Sequence, residues 1–203
     1  MILVGAGRFA DEVTDIAFDA GVDVAAWIEG IDRARADDTH TPRIVWVDDQ
    51  AAFEPATSVA PAIGSVKRRA LMDRLVAEGR ALATIVHPSA VIARSATIEE
   101  GCVIFPNVVI AARTRIGAGT IVNRGALVGH HSEIGPGSFL GPGANVAGGV
   151  QIGERVHVGL GAIVRDDRSV GDDAVIGAGA VVIADVTAGT TVIGLPARPM
   201  ERA

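Results

Sequence analysis

Five histidines, one cysteine and one glycine-rich turn are the groups in this 203-residue chain with the most chemistry to offer. Imidazole has an ordinary pKa of about 6.5, so a proton acceptor working near neutral pH is sought first among His40, His87, His130, His131 and His157. Cys102 is the sole thiol, which excludes a disulfide framework and a cysteine-built zinc site. Gly5-Ala6-Gly7-Arg8-Phe9-Ala10 fits G-x-G-x-x-G/A between a strand and a helix. Glycine there lets backbone approach a phosphate, and a helix N-terminus favours an anion. Glu29 follows about twenty residues on, where an acid could hold a ribose hydroxyl. Alone, the turn fits a phosphate-bearing nucleotide, a nicotinamide cofactor, or a tight turn under a helix. The nicotinamide reading is disfavoured, because too little α/β sequence follows to make a whole dinucleotide fold.

These residues are placed by a repeat. Stepping by six from Val86 through Ile92 and Ile98 to Ile176 and Val182 meets seventeen aliphatic residues without exception. Stepping by six from Ala90 to Ala180 meets Ala, Cys, Val, Thr or Ser at every position but Arg168. Glycine often follows the aliphatic residue, as at Gly117, Gly129, Gly135 and Gly159. A period of six is the mark of a hexapeptide β-helix. The aliphatic residue fills the prism and the small one packs where the wall turns inward. Three hexapeptides close a triangular coil, so residue i stacks on residue i+18. Seventeen steps of six make between five and six coils. Cys102 belongs to the small series and is expected to be buried and inert.

Residues 1–84 alternate strand and helix. Strands are predicted at Met1–Val4, Val22–Ile28, Arg43–Val47, Val59–Ile63 and Leu82–Val86, with helices at Arg8–Ala20 and Ser65–Glu78, the second N-capped by Ser65. Glu29–Pro42 reads as a long polar loop. Alternation of this kind implies a parallel sheet, here half of a Rossmann domain. The chain is read as an α/β half-Rossmann domain at 1–84 and a parallel β-helix with a C-terminal cap at 85–203.

Composition narrows the function. Formal net charge is −6, which argues against a nucleic-acid partner. No apolar run reaches the roughly 18 residues of a membrane span, and no signal-peptide core precedes Gly5, so the chain is expected to be cytoplasmic. In the β-helix His130 lies two residues past inward-facing Val128 and so points outward near a corner. Gly148 stacks one coil above it and Ala112 one coil below, leaving an open notch beside the imidazole. His131 has Gly149 above and Arg113 below.

The order of segments ILVGAGRFADEV (2–13), AIGSVKRR (62–69), VHPSA (86–90), PNVV (106–109), VNRGALVGHHSEIG (122–135), GGV (148–150) and GLPAR (194–198) resembles the hexapeptide-repeat acyltransferase family of sialic-acid O-acetyltransferases and nucleotide-sugar N-acetyltransferases, including the bacillosamine type. The resemblance covers essentially the whole chain. It implies a left-handed β-helix, acetyl-CoA as co-substrate with no metal, a nucleotide-linked sugar held by the N-terminal domain, and a homotrimer with active sites between adjacent β-helices. The family's catalytic histidine maps onto His130, with His131 beside it, and a family asparagine onto Asn123. Gly148 and Gly149 then leave room for a thioester. Gly159, Ala178 and Ala180 would line a channel running toward Gly194–Arg198, where Arg198 or Arg165 meets the CoA phosphates. Gly7, Arg8, Phe9, Glu29, Gly64 and Arg69 are assigned to the nucleotide sugar.

The chain departs from that family in three places. Its Asp or Glu directly after the catalytic histidine is His131 here, so an orienting carboxylate must come from Glu133 or a neighbouring subunit, or is absent. Its Gly-His-Gly is Arg8-Phe9-Ala10, and an acidic pair after the second strand is Glu29-Gly30. N-acetylation of a nucleotide-linked amino sugar is the leading reading. O-acetylation of a sialic-acid-like sugar and a non-catalytic sugar-nucleotide-binding protein are the alternatives. A β-helix zinc carbonic anhydrase is disfavoured. His157 lies 27 residues past His130 on another face, and adjacent side chains such as His130 and His131 normally diverge.

Overall fold

In the computed structural model, which describes residues 1–54, 56–66 and 68–200, the chain opens with β1 (Ile2–Val4), α1 (Arg8–Asp19), β2 (Ala26–Glu29), β3 (Arg43–Trp46), β4 (Val59–Pro61) and α2 (Arg68–Ala77). The strands form one parallel sheet in the order β3-β2-β1-β4. β1 is a buried apolar run, as strands covered on both faces are. Gly5 follows at φ +129°, and a Cβ there would lie 2.6 Å from the Ala62 carbonyl oxygen, so no other residue fits the β1–α1 turn. α1 buries Ala10, Val13, Ile16 and Ala17 along one stripe. The predicted strands are shorter than expected. Residues 22–25 precede β2 as irregular chain, and the polar loop contains a 3₁₀ turn at Arg33–Arg35. α2 begins at Arg68 instead of Ser65, with the Arg68 N–H on the Ser65 carbonyl closing the turn before it. Lys67, in the expected first turn, lies outside the described residues.

From Ile85 onward two-residue strands stack into three parallel walls. The first runs from Ile85–Val86 through Ile121–Val122 and His157–Val158 to Thr191–Ile193. The second runs from Val91–Ile92 through Leu127–Val128 to Val181–Val182. The third runs from Thr97–Ile98 through Glu133–Ile134 to Ser169–Val170. Partners are eighteen residues apart, as in Arg115↔Glu133 and Leu127↔Asn145. Only the last coil shortens, with Val175 beside Thr191. The six strands of the second wall match the coil number read from the repeat.

Ile104, Ile116, Val128, Leu140 and Val164 are fully or almost fully buried inside the prism, and so are Cys102, Ala126, Ala144 and Ala162 of the small series. Where that series carries a hydroxyl, it donates to the carbonyl fifteen residues on: Thr114 to Gly129 at 2.7 Å, Ser132 to Ala147 at 2.9 Å, Ser138 to Gly153 at 3.0 Å. The Cys102 thiol does the same toward Gly117, and burial pushes its pKa up to about 12. It is buried, as expected, and a thiol held protonated is a poor nucleophile.

The walls differ outside. Val103, Ile121 and Phe139 face outward from the first wall yet are buried, because α1 and its neighbours pack on them. The second wall shows exposed Val91, Val109, Leu127 and Ile163. The third shows Thr97, Arg115, Glu133, Gln151 and Ser169. Among the described residues no helix is long and apolar enough to cross a membrane.

Candidate active site

His130 and His131 occupy the corner between the second and third walls, between Leu127–Val128 and Glu133–Ile134. From residue 101 to residue 179, every sixth residue has a positive φ, and His131 takes one of these corners at φ +58°. Eight of the fourteen corners are glycine. A histidine in this region carries a backbone cost on the order of 1 kcal/mol. The left-handed turn brings the two rings together, against the expectation that neighbours diverge. His130 Nδ1 and His131 Nδ1 are 3.0 Å apart, with the rings at 87°.

The notch above His130 is filled by the imidazole itself. A Cβ on Gly148 would lie 2.7 Å from His130 Cε1 and 2.9 Å from Nε2, so glycine is what lets the ring lie over this backbone. A cavity of about 430 Å³ opens there, lined by His130, His131, Gly148, Gly149, Asp166 and Asp167. The four expected residues are thus together. The two aspartates were missed, although stacking by eighteen, carried one coil further, leads from Gly148 to Asp166 and from Gly149 to Asp167. Asn123 is not among them. It sits on the preceding corner, between the first and second walls, buried, with Oδ1 accepting the Arg124 N–H at 2.7 Å.

The proposed channel residues separate. Ala180 is fully buried and belongs to the prism interior, a correction that its place in the small series already carried. Gly159 is buried too, and a Cβ there would lie 2.6 Å from Ala178 N, so it serves the stacking of coils. Ala178 is exposed at a corner. Arg198 lines a cavity of about 380 Å³ with Val182, Ile183, Asp185, Val192 and Pro199 at the end of the solenoid.

At the N-terminal turn, Glu29 is not free to hold a ribose. It is buried; Oε1 accepts the N–H groups of Ile31 at 2.8 Å and Asp32 at 3.3 Å, and Oε2 pairs with Arg35 at 3.1 Å. Arg35, absent from the sequence reading, also donates to the Ala6 carbonyl and stands 4.0 Å from where a Gly7 Cβ would be. Its position in an irregular loop left no periodic signal. Arg8 is exposed on the first turn of α1. Phe9 packs on Phe105 at 5.5 Å and Phe139 at 6.4 Å, and a Cβ on Gly64 would touch Phe9 and Phe139 at 3.8 Å. Arg69 holds Asp73 at 2.6 Å and borders Gly137. Phe9, Gly64 and Arg69 therefore lie along the seam between the α/β part and the first wall.

The other histidines lie apart from this corner. His87 bridges Asp19 at 3.2 Å and Ser89 at 2.8 Å, tying α1 to the first coil. His157 stacks on Phe139 at 5.0 Å, and burial holds its pKa below the ordinary value. His40 packs on Trp27. Among the described residues no three His, Cys, Asp or Glu side chains converge to hold a metal ion.

Residues 131–166 match the family model of the bacterial transferase hexapeptide (six repeats). No curated protein sequence matches the chain significantly. Solved structures match over nearly the whole length. A variant of perosamine N-acetyltransferase from Caulobacter crescentus, in complex with CoA and GDP-perosamine, is 31% identical over 99% of this chain and 96% of its own, with a TM-score of 0.90. The acetyltransferase domain of PglB from Neisseria gonorrhoeae FA1090, in complex with acetyl coenzyme A, is 28% identical over 98% of each chain, with a TM-score of 0.90. WeeI from Acinetobacter baumannii AYE is 26% identical over 98% of each chain, with a TM-score of 0.87. With the hexapeptide solenoid, the histidine corner and full-length likeness to these transferases together, the chain belongs to the hexapeptide-repeat acyltransferases, in the family of nucleotide-sugar acetyltransferases that its motifs resemble.

Proposed function

We propose that this protein transfers an acetyl group from acetyl-CoA to the amine of a nucleotide-linked amino sugar, with His130 as general base. The observation that carries it is the His130 ring lying over Gly148 at an open cavity, in a chain that matches a CoA- and GDP-perosamine-bound N-acetyltransferase over 99% of its length. The amine nitrogen attacks the thioester carbonyl carbon, and a C–N bond forms as the C–S bond breaks. The amine proton passes to His130 Nε2 and from there to the departing sulfur, giving an acetamide and the free thiol. The thioester approaches from the cavity beside Gly148 and Gly149, since the His130 ring lies over the first glycine and the Asp167 carboxylate over the second, and a backbone N–H beside the developing oxyanion stabilises it. Thiol release with UDP-, GDP-, dTDP- and CMP-linked amino sugars tests this reading. No turnover with any of them removes it, and turnover only with hydroxyl acceptors replaces it by O-acetylation.

In this reading residues 1–84 are a half-Rossmann nucleotide-sugar domain and 85–203 a left-handed β-helix with its C-terminal cap. The reaction takes place in the cytoplasm, and the working unit is a homotrimer. The first wall is covered by the chain's own α/β part and the third is polar, so the apolar second wall is the face left for a neighbouring copy. That contact would flank the His130 corner. Light scattering at micromolar concentration should give three times the chain mass; a fully active monomer would contradict it.

Two substitutions separate the substrates. A side chain at Gly7 meets nothing nearer than Arg35 at 4.0 Å, and Gly7 has an extended backbone, φ −105° and ψ 179°, so Gly7→Val should fold normally. It should lose sugar-nucleotide binding and keep acetyl-CoA binding, both read by calorimetry. Unchanged sugar-nucleotide affinity would leave Gly7 a turn residue only. Arg198→Ala, at the mouth of the terminal cavity, should raise KM for acetyl-CoA several-fold by removing a charge-assisted phosphate contact. KM for the sugar nucleotide should stay put, and the reverse pattern would reject this placement.

A further inference from the structure

We propose that His131 is the positioning residue for His130: its Nδ1 accepts the His130 Nδ1–H, leaving His130 Nε2 unprotonated as the basic nitrogen. This inference rests on the reading of His130 as the base. The two Nδ1 atoms are 3.0 Å apart, and a neutral imidazole carries one N–H and one lone pair, so one proton serves both atoms. When His130 donates, its Nε2 lone pair is available beside Gly148, 2.9 Å from where that residue's Cβ would be. When His131 donates, His130 Nε2 carries a hydrogen and cannot accept another. The direction of a single hydrogen bond therefore sets whether the base exists.

The same contact serves the reaction. As His130 Nε2 takes the acceptor's proton, the ring becomes cationic and its Nδ1–H to neutral His131 becomes a charge-assisted hydrogen bond. A carboxylate in this place would do the same work with a full negative charge. Asp166 and Asp167, one coil up across the shared cavity, favour positive charge on the histidine pair. Arg113, stacked one coil below His131, opposes it. Glu133 lies two residues on, in the next strand. Two N–H groups cannot face each other across 3.0 Å, so one of the two Nδ1 atoms must be the acceptor.

The experiment compares His131→Gly, His131→Asn and His131→Asp with His130→Ala in the full-length protein. Glycine is the residue most of these left-handed corners carry, so it removes the imidazole without backbone strain. His131→Gly is expected to lower kcat about 10-fold or more, on the scale of lost orienting partners, with both KM values nearly unchanged. In ¹⁵N spectra His130 should shift from Nδ1–H toward Nε2–H. Asn and Asp each restore an acceptor and should recover kcat. Asp should in addition move the acid limb of kcat/KM to higher pH, because its charge holds the His130 proton more tightly. If His130→Ala is inactive while His131→Gly keeps wild-type kcat and pH profile, the positioning role is wrong and the base assignment stands. A loss in His131→Gly that neither Asn nor Asp recovers also overturns the positioning role. Wild-type kcat in His130→Ala overturns the base assignment and this inference with it.

Discussion

His130→Ala should lower kcat by about 10²-fold or more, the scale of general-base catalysis, and leave the melting temperature nearly unchanged. Both halves follow from its place on the corner. The side chain is exposed and holds no core, so its removal leaves the prism interior untouched. Its ring covers Gly148 beside the shared cavity, where the proton must be taken. KM for acetyl-CoA should change little, since the imidazole's role is in the transition state. The wild-type kcat/KM should fall on the acid side, and part of that fall should persist in the variant, because the acceptor amine must itself be deprotonated to attack. A variant with wild-type kcat would move the search to another part of the solenoid.

Arg68→Ala should produce the largest loss of stability, on the order of 3 kcal/mol, or about 6–12 °C in Tm for a chain of this size. Arg68 is 2% exposed at the start of α2 and is anchored by backbone carbonyls. Its guanidinium donates to Ser65 at 3.0 Å and, across the seam, to Gly119 at 3.0 Å, Gly137 at 3.1 Å and Ser138 at 2.7 Å. Nε is buried with no partner, and burial draws the pKa down to about 10, so the group is still charged at neutral pH. Truncation takes the donor from the Gly119 and Gly137 carbonyls, leaves those of Ser65 and Ser138 only the backbone N–H groups of Arg68 and Ile121, and opens a void between the α/β part and the first wall. Arg68→Lys should rescue little, because one ammonium cannot reach acceptors spread over two corners of the solenoid and the α2 turn. The sugar-nucleotide KM should rise as the seam loosens, while the acetyl-CoA KM holds. An unchanged Tm would show that water replaces the guanidinium at no cost.

Arg68 also marks where reading by pattern ends. In sequence it is one of two adjacent arginines in a helix, and nothing in its neighbourhood announces partners 51 to 70 residues away. The solenoid is the opposite case. One aliphatic and one small residue in every six sufficed to name the inward side chains, the eighteen-residue stacking and the neighbours of His130. That information is periodic, and a parallel coil converts sequence distance directly into space. Ala180 shows the rule being stronger than its use: the same series that predicted a β-helix already placed it inside.

What only the tertiary structure decided concerns side chains whose partners do not repeat. Glu29 has the right distance from the glycine turn to hold a ribose, but Arg35, six residues later in an irregular loop, takes its second oxygen while two backbone N–H groups take the first. Phe9 reads as part of a phosphate turn and is spent on Phe105 and Phe139, far away in the chain on the first wall. His131 reads as a lost carboxylate, and the left-handed corner turns it onto His130. The sequence by itself determined the solenoid, its walls and the corner that holds the histidines, because burial in a repeating coil depends on residue type and period alone. The direction of each polar side chain at that corner and along the seam was decided in three dimensions, because hydrogen bonds depend on angles and on partners that no period brings together.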